Sequence, residues 1–108
     1  MGARAKVSVE QMSDEAAWRV LATSFPVLGR MVAGKRLPAQ FTAETLLKLC
    51  ETGISTSERS ICRFVLHVWN EYDNAFALSD VRTWDEAHQA AFAAWVDGRT
   101  LGRPLRYF

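Results

Sequence analysis

The stretch SERSICRFVLHVWNEYDNAF, Ser57 to Phe76, decides the fold. Wound as an α-helix at 100° per residue, it gathers Ile61, Cys62, Phe64, Val65, Leu66, Val68, Trp69, Tyr72 and Phe76 into an apolar arc of roughly 200°. A helix facing a core on one side only needs an arc of about 100°. This helix is therefore predicted to be packed on two sides, at the centre of a bundle, with Phe64 and Trp69 buried. The remaining strip carries Arg59, Arg63, His67, Asn70 and Asn74. Arg59 and Asn70 fall beside Leu66 and are expected partly buried and structural. Arg63, His67 and Asn74 fall deeper in the strip and are expected exposed, with Glu71 pairing to His67 one turn on.

Working outward, Ser55 and Glu58 form a capping box that opens this third helix. Upstream, Thr42 caps a second helix, Phe41 is placed to staple onto Leu46, and Gly53 stops the helix. The loop GKRLPAQ, residues 34–40, precedes it. Ser13, followed by Asp14 and Glu15, caps a first helix in which Trp18, Leu21, Ala22, Phe25, Leu28 and Val32 recur at helical spacing. Pro26 predicts a kink there, or two short helices. Downstream, ALSDVR turns the chain, Thr83 and Glu86 form a second capping box, and a fourth helix ends at Gly98. The tail TLGRPLRYF, residues 100–108, is too broken by Gly102 and Pro104 to be helical. No strand pattern is present. The prediction is an all-α fold, a small bundle of four to five helices around a long central third helix. It has a flexible arm over 1–12, the bundle over 13–99 and a C-terminal tail over 100–108.

A chain of 108 residues is one domain, and four Trp with six Phe supply ample apolar surface for its core. Thirteen basic residues nearly cancel twelve acidic ones, so no global field draws in nucleic acid or an anionic membrane. No apolar run approaches the ~20 residues of a membrane span, and the N-terminal segment lacks the apolar core of a signal peptide. Cys50 and Cys62 are too few for a disulfide framework, so the expectation is a cytoplasmic chain with two reduced thiols.

Motifs that carry chemistry are sparse. GRMVAGK, residues 29–35, matches a phosphate-loop frame, but Arg36 stands where Ser or Thr must hold Mg²⁺, and a helix precedes it where a strand is needed. Cys62 and His67 lie about 140° apart on the helix wheel and cannot share an ion. Cys50 and His88 lack close-spaced metal partners, and His88 shares a face with Trp84, Phe92 and Trp95 as a boundary residue. No nucleophile, base and acid assemble, so no enzyme, metal or cofactor is predicted. The segment 44–66 has the helix, Gly-containing turn and helix of a DNA-binding motif, with Ser57, Arg59, Ser60 and Arg63 leading its second helix. Arg59 stands where that motif wants a buried apolar residue.

Residues 54–97 resemble an uncharacterised family of small bacterial proteins carried on plasmids and integrated elements. The family pattern runs Thr-Gly-Gln-Ser-Arg, Phe-Leu-Leu, an aromatic–Asn pair, then Pro-Phe-x-Leu-x-Asp-x-Arg-x-x-Asp. Arg59, Phe64, Leu66, Trp69 and Asn70 fit the first part, and Phe76, Leu78, Asp80, Arg82 and Asp85 the second. Thr56, Ser57, Glu58 and Ala75 depart from it. The resemblance implies a bacterial cytoplasmic setting and a mobile element, and carries no catalytic residue. The matching polar residues Arg59, Asn70, Asp80, Arg82 and Asp85 are expected to form a structural network, with Asp80 or Asp85 capping backbone N–H groups and Arg82 pairing with either.

The leading functional expectation is a non-enzymatic module that binds a protein partner in host defence, replication or regulation. Trp, Tyr and Arg are the residue types that carry interface energy. The candidate contact residues are Arg63, His67, Lys35, Arg36, Arg103, Arg106, Tyr107 and Phe108, the last four lying in a tail that either folds back or docks elsewhere. The alternative is a DNA-binding regulator. A small-molecule ligand and a membrane are not expected.

Overall fold

The structure, a computed structural model, describes residues 11–108. Of the arm expected over 1–12, all but the last two residues lie outside that range. Five α-helices and a 3₁₀ turn follow: α1 Asp14–Ser24, α2 Pro26–Ala33, α3 Ala43–Cys50, α4 Thr56–Trp69, a 3₁₀ helix Leu78–Thr83, and α5 Glu86–Val96. Among the described residues there is no strand. The fold is the all-α bundle expected, and α4 is its long central helix.

Local chemistry sets most boundaries. The Ser13 hydroxyl accepts from the Ala16 N–H at 3.2 Å to open α1. Phe25 is extended, as a residue before proline must be, and Pro26 then starts α2 at the position where its missing N–H costs nothing. The predicted first helix is thus two helices. Thr42 caps α3 through the Thr45 N–H, and the Ser55–Glu58 box at the head of α4 is complete in both directions.

Two boundaries differ from expectation. First, α4 stops at Trp69 instead of running to Phe76. Asn70 ends it: its side-chain oxygen accepts from the N–H groups of Tyr72 and Asp73, and its amide donates to the Asp73 carboxylate at 2.9 Å. A short polar side chain that bonds neighbouring backbone competes with helix continuation. Tyr72, placed on the apolar arc above, is accordingly 93% exposed. Glu71 also lies beyond the helix, so the His67–Glu71 helical pair does not form. Second, Asp85, not Thr83, caps α5, accepting from the His88 N–H at 2.9 Å, while Thr83 closes the 3₁₀ turn.

The core sits around α4. Phe64 is ringed by five aromatic side chains, Phe25, Phe76, Trp84, Phe92 and Trp95, with centroids 5.1–5.9 Å away. On the opposite side of the helix Trp18 lies fully buried, donates its indole N–H to the Val65 carbonyl at 2.9 Å, and packs on Phe41 and Trp69. Trp18, Trp84 and Trp95 are buried, whereas Trp69 is partly exposed rather than fully buried as predicted. Most tryptophan is therefore core, and the exposed aromatic surface belongs instead to Tyr72 and Tyr107.

The tail folds back. Gly98 adopts φ 87°, and a Cβ there would lie 3.0 Å from the Arg103 carbonyl carbon, so this reversal requires glycine. Leu101 is fully buried, the Phe108 N–H donates to Val68, and the Phe108 ring stacks on Trp69. Arg106 reaches Asp14 at 3.4 Å and lies over the Phe108 ring.

Candidate functional site

Where the returning tail crosses α4 and α5, it leaves a cleft of about 250 Å³. Its walls are aromatic: Phe64 from α4, Phe76 from the turn after it, and Phe92 and Trp95 from α5. Its mouth is formed by Leu78 on the 3₁₀ helix and by Leu105 and Tyr107 on the tail. Leu78 is 68% exposed and Leu105 52%, the most exposed aliphatic side chains among the described large hydrophobics. Apolar side chains held in water at the lip of an apolar cleft mark a surface suited to another apolar group.

His67 fastens this mouth. It is half-buried, not exposed as expected. Its Nδ1 lies 2.9 Å from the Asn74 carbonyl and its Nε2 3.1 Å from the Tyr107 hydroxyl. A carbonyl only accepts, so Nδ1 carries a proton, and in the neutral ring Nε2 accepts from Tyr107. His67 and Asn74 do meet, but because the chain turns back after Asn70 and not because they share a helix. Tyr107 packs edge-on against both His67 and Trp95. Burial, and then the negative Glu71, push its phenol above the ordinary value, so it stays protonated as a hydrogen-bond donor.

The other predicted contact residues scatter. Arg63 is exposed, as expected, but lines a separate cavity with Arg59 and Cys50. Lys35 and Arg36 are exposed in the α2–α3 loop, with Arg36 adding positive potential near Glu58 at the head of α4. Arg103 is exposed on the tail. Arg106 and Phe108 hold the tail to the bundle, and only Tyr107 of the tail's aromatics lines the cleft.

The polar residues expected to act together do not form one network. Arg59 donates to the carbonyls of Cys50 and Thr52, tying the α3–α4 turn to α4. Asn70 ends α4, and Asp85 caps α5. Arg82 is exposed and forms an ion pair with neither Asp80 nor Asp85, because the 3₁₀ turn carries it outward.

One arrangement was not foreseen. His88 is buried, and its Nε2 accepts from the Val27 N–H in the first turn of α2 at 3.0 Å. Its Nδ1 lies 2.6 Å from Asp85. An acceptor Nε2 puts the ring proton on Nδ1, so Asp85 orients an imidazole that satisfies a free amide at a helix start. The three-residue spacing Asp85–His88 was the available signal; the partner in α2 was not. In the segment proposed above as a DNA reader, α4 buries Ile61, Cys62, Phe64, Val65, Leu66 and Val68, leaving Thr56, Ser57 and Arg63 as its exposed positions. Among the described residues no group of three or more His, Cys, Asp or Glu could hold a metal ion, and no helix is long and apolar enough to cross a membrane.

Compared with protein-family models, curated proteins and solved structures, the chain matches none of them.

Proposed function

We propose that this chain is a non-enzymatic protein-binding module that receives an apolar side chain of a partner protein in the cleft between its tail and α5. One observation carries the reading: Leu78 and Leu105 stand in water beside a cleft walled by four aromatic rings. Burying the part of these two side chains that is still exposed removes further apolar surface, a contribution of roughly half the about 1.5–3 kcal/mol that full burial of a leucine gives. Arg82, four residues beyond Leu78, and Arg103, two before Leu105, are exposed and have no ion-pair partner among the described residues. They favour a partner segment with acidic residues flanking its apolar anchor. The resemblance over residues 54–97 supports a bacterial cytoplasmic setting and a mobile element, and with it a partner in host defence, replication or regulation.

The test is a comparative capture from bacterial lysate using the parent and a Leu78→Asp, Leu105→Asp double variant, whose melting temperatures should agree because both positions are exposed. A protein retained by the parent and lost from the variant supports the reading. Equal retention by both overturns it. A tight, sequence-selective duplex complex at physiological salt would replace it with DNA recognition.

A further inference from the structure

The tail that closes the apolar cleft also borders a second cavity, of about 340 Å³, and Tyr107 lines both. The second cavity has a different lining. Trp69, Tyr72, Tyr107 and Phe108 supply four aromatic rings, and Asp14 and Glu71 supply two carboxylates. Among the described residues no basic side chain lines it. Tyr72 is 93% exposed, on a turn held by its own N–H bond to the Asn70 side chain at 3.1 Å. Glu71 is exposed and takes part in no ion pair among the described residues. The chain's own tail shows what such a surface attracts. The Arg106 guanidinium carbon lies 4.7 Å from the centre of the Phe108 ring, and its Nη2 lies 3.4 Å from the Asp14 carboxylate. Arg106 is itself largely buried and is not on the cavity wall. It occupies one ring and one carboxylate, and leaves Glu71 and Tyr72 in water.

We propose that this cavity is a cation site that takes the guanidinium of an arginine side chain on a partner protein. Aromatic faces attract cations through the ring quadrupole, and the attraction strengthens as water is displaced. A carboxylate adds charge-assisted hydrogen bonds, two at once to a planar guanidinium. Arginine suits this lining better than lysine, because its flat, weakly hydrated head stacks on rings while its edge donates to a carboxylate. A quaternary ammonium would use the rings but has no N–H to give Glu71. That the arginine belongs to a protein rests on the reading above; the cation site itself does not. Because Tyr107 lines both cavities, one partner segment crossing it can lay an apolar side chain in the cleft and an arginine here. Charge fixes the direction of that segment. The exposed Arg82 and Arg103, near Leu78 and Leu105 in sequence, repel a cation, whereas Glu71 and Asp14 attract one.

The full chain is titrated with Nα-acetyl-arginine methylamide while its backbone and indole N–H signals are followed by NMR. The Trp69 indole, assigned with a Trp69→Phe chain, and the Glu71 and Tyr72 amides should shift saturably. The Trp84 indole, which donates to Ser60 at 3.0 Å and does not line the cavity, should stay in place. The citrulline counterpart of the probe, alike in shape but uncharged, should produce little change. Glu71→Gln and Tyr72→Ala each alter an exposed side chain, and each should weaken binding several-fold without lowering the melting temperature. The Leu78→Asp, Leu105→Asp double variant should bind the arginine probe as the parent does, so that failure of the cleft leaves this site standing. The proposal is overturned if arginine moves none of these signals, if citrulline moves them equally, or if both Glu71→Gln and Tyr72→Ala bind like the parent. Tighter binding of tetramethylammonium than of the arginine probe would also overturn it, in favour of a quaternary ammonium site. So would loss of arginine binding in the double variant, because the shifts would then report a rearranged tail.

Discussion

Phe64 shows how far a single residue can be understood from sequence. Its place at the centre of the apolar arc predicted burial, and it is 1% exposed inside five aromatic rings. Four edge-to-face rings and one tilted ring leave little room for collapse into a void, so Phe64→Ala should cost about 3–5 kcal/mol, measured by urea or guanidinium unfolding. Equal midpoints for parent and variant would remove Phe64 from the core. Arg63 and His67, one turn apart, were expected to behave alike, and here the polar strip divides. Arg63 is exposed, and its replacement by Ala should change stability by less than about 0.5 kcal/mol. His67 bridges the Asn74 carbonyl and the Tyr107 hydroxyl, so His67→Ala should cost about 1–2 kcal/mol. Denaturant curves that rank the two variants the other way would contradict these contacts. Periodicity could not separate them, because both of His67's partners are reached only after the chain reverses.

At the scale of elements, capping chemistry was the most legible signal and interrupted periodicity the least. Ser13, Thr42 and the Ser55–Glu58 box all open helices where a short polar side chain meets free backbone N–H groups. The end of α4 was missed because the apolar period continues past it through Tyr72 and Phe76, while Asn70 turns the backbone away. Phe76 still reaches Phe64, but from a returning loop. The Ser55–Glu58 box also makes a pH prediction. The Ser55 backbone N–H, then the Ser55 hydroxyl and the charges of Arg36 and Arg30, hold the Glu58 carboxyl below its ordinary value. A carboxyl depressed on folding contributes stability that is complete above the unfolded value, about 4.3, and is lost as pH falls through the folded one. Glu58→Gln keeps an acceptor for Ser55 but cannot titrate. Its melting temperature should therefore fall less steeply than the parent's on acidification below about pH 4.5, the two curves converging at the acid end. Parallel curves across that range would mean the box contributes nothing through its charge.

For the whole molecule, the decisive contacts join segments far apart in sequence, and these are what no local pattern reveals. Arg106 reaches Asp14 across 92 residues and Tyr107 meets His67 across 40. A tail broken by Gly102 and Pro104 reads locally as loose, yet it is anchored by Leu101 and closed by Phe108 on Trp69. The Trp95 indole N–H donates to the Arg106 carbonyl at 3.0 Å, so the tail also completes the hydrogen bonding of a core side chain. Removing Leu105–Phe108 deletes that acceptor, uncovers the Trp69 ring and dismantles the mouth of the apolar cleft. The surface ion pair to Asp14 contributes little beside these losses. The shortened chain should lose about 2–4 kcal/mol of stability, from an exposed aromatic contact and a tryptophan N–H left without its partner. Its tryptophan emission should also move to longer wavelength as water reaches Trp69 and Trp95. A Phe108→Ala chain should retain the Trp95 bond and show the smaller part of both effects. If instead the truncated chain unfolds at the parent's denaturant midpoint with unshifted emission, the tail is not part of the core, and the cleft it borders is not a fixed feature of the fold.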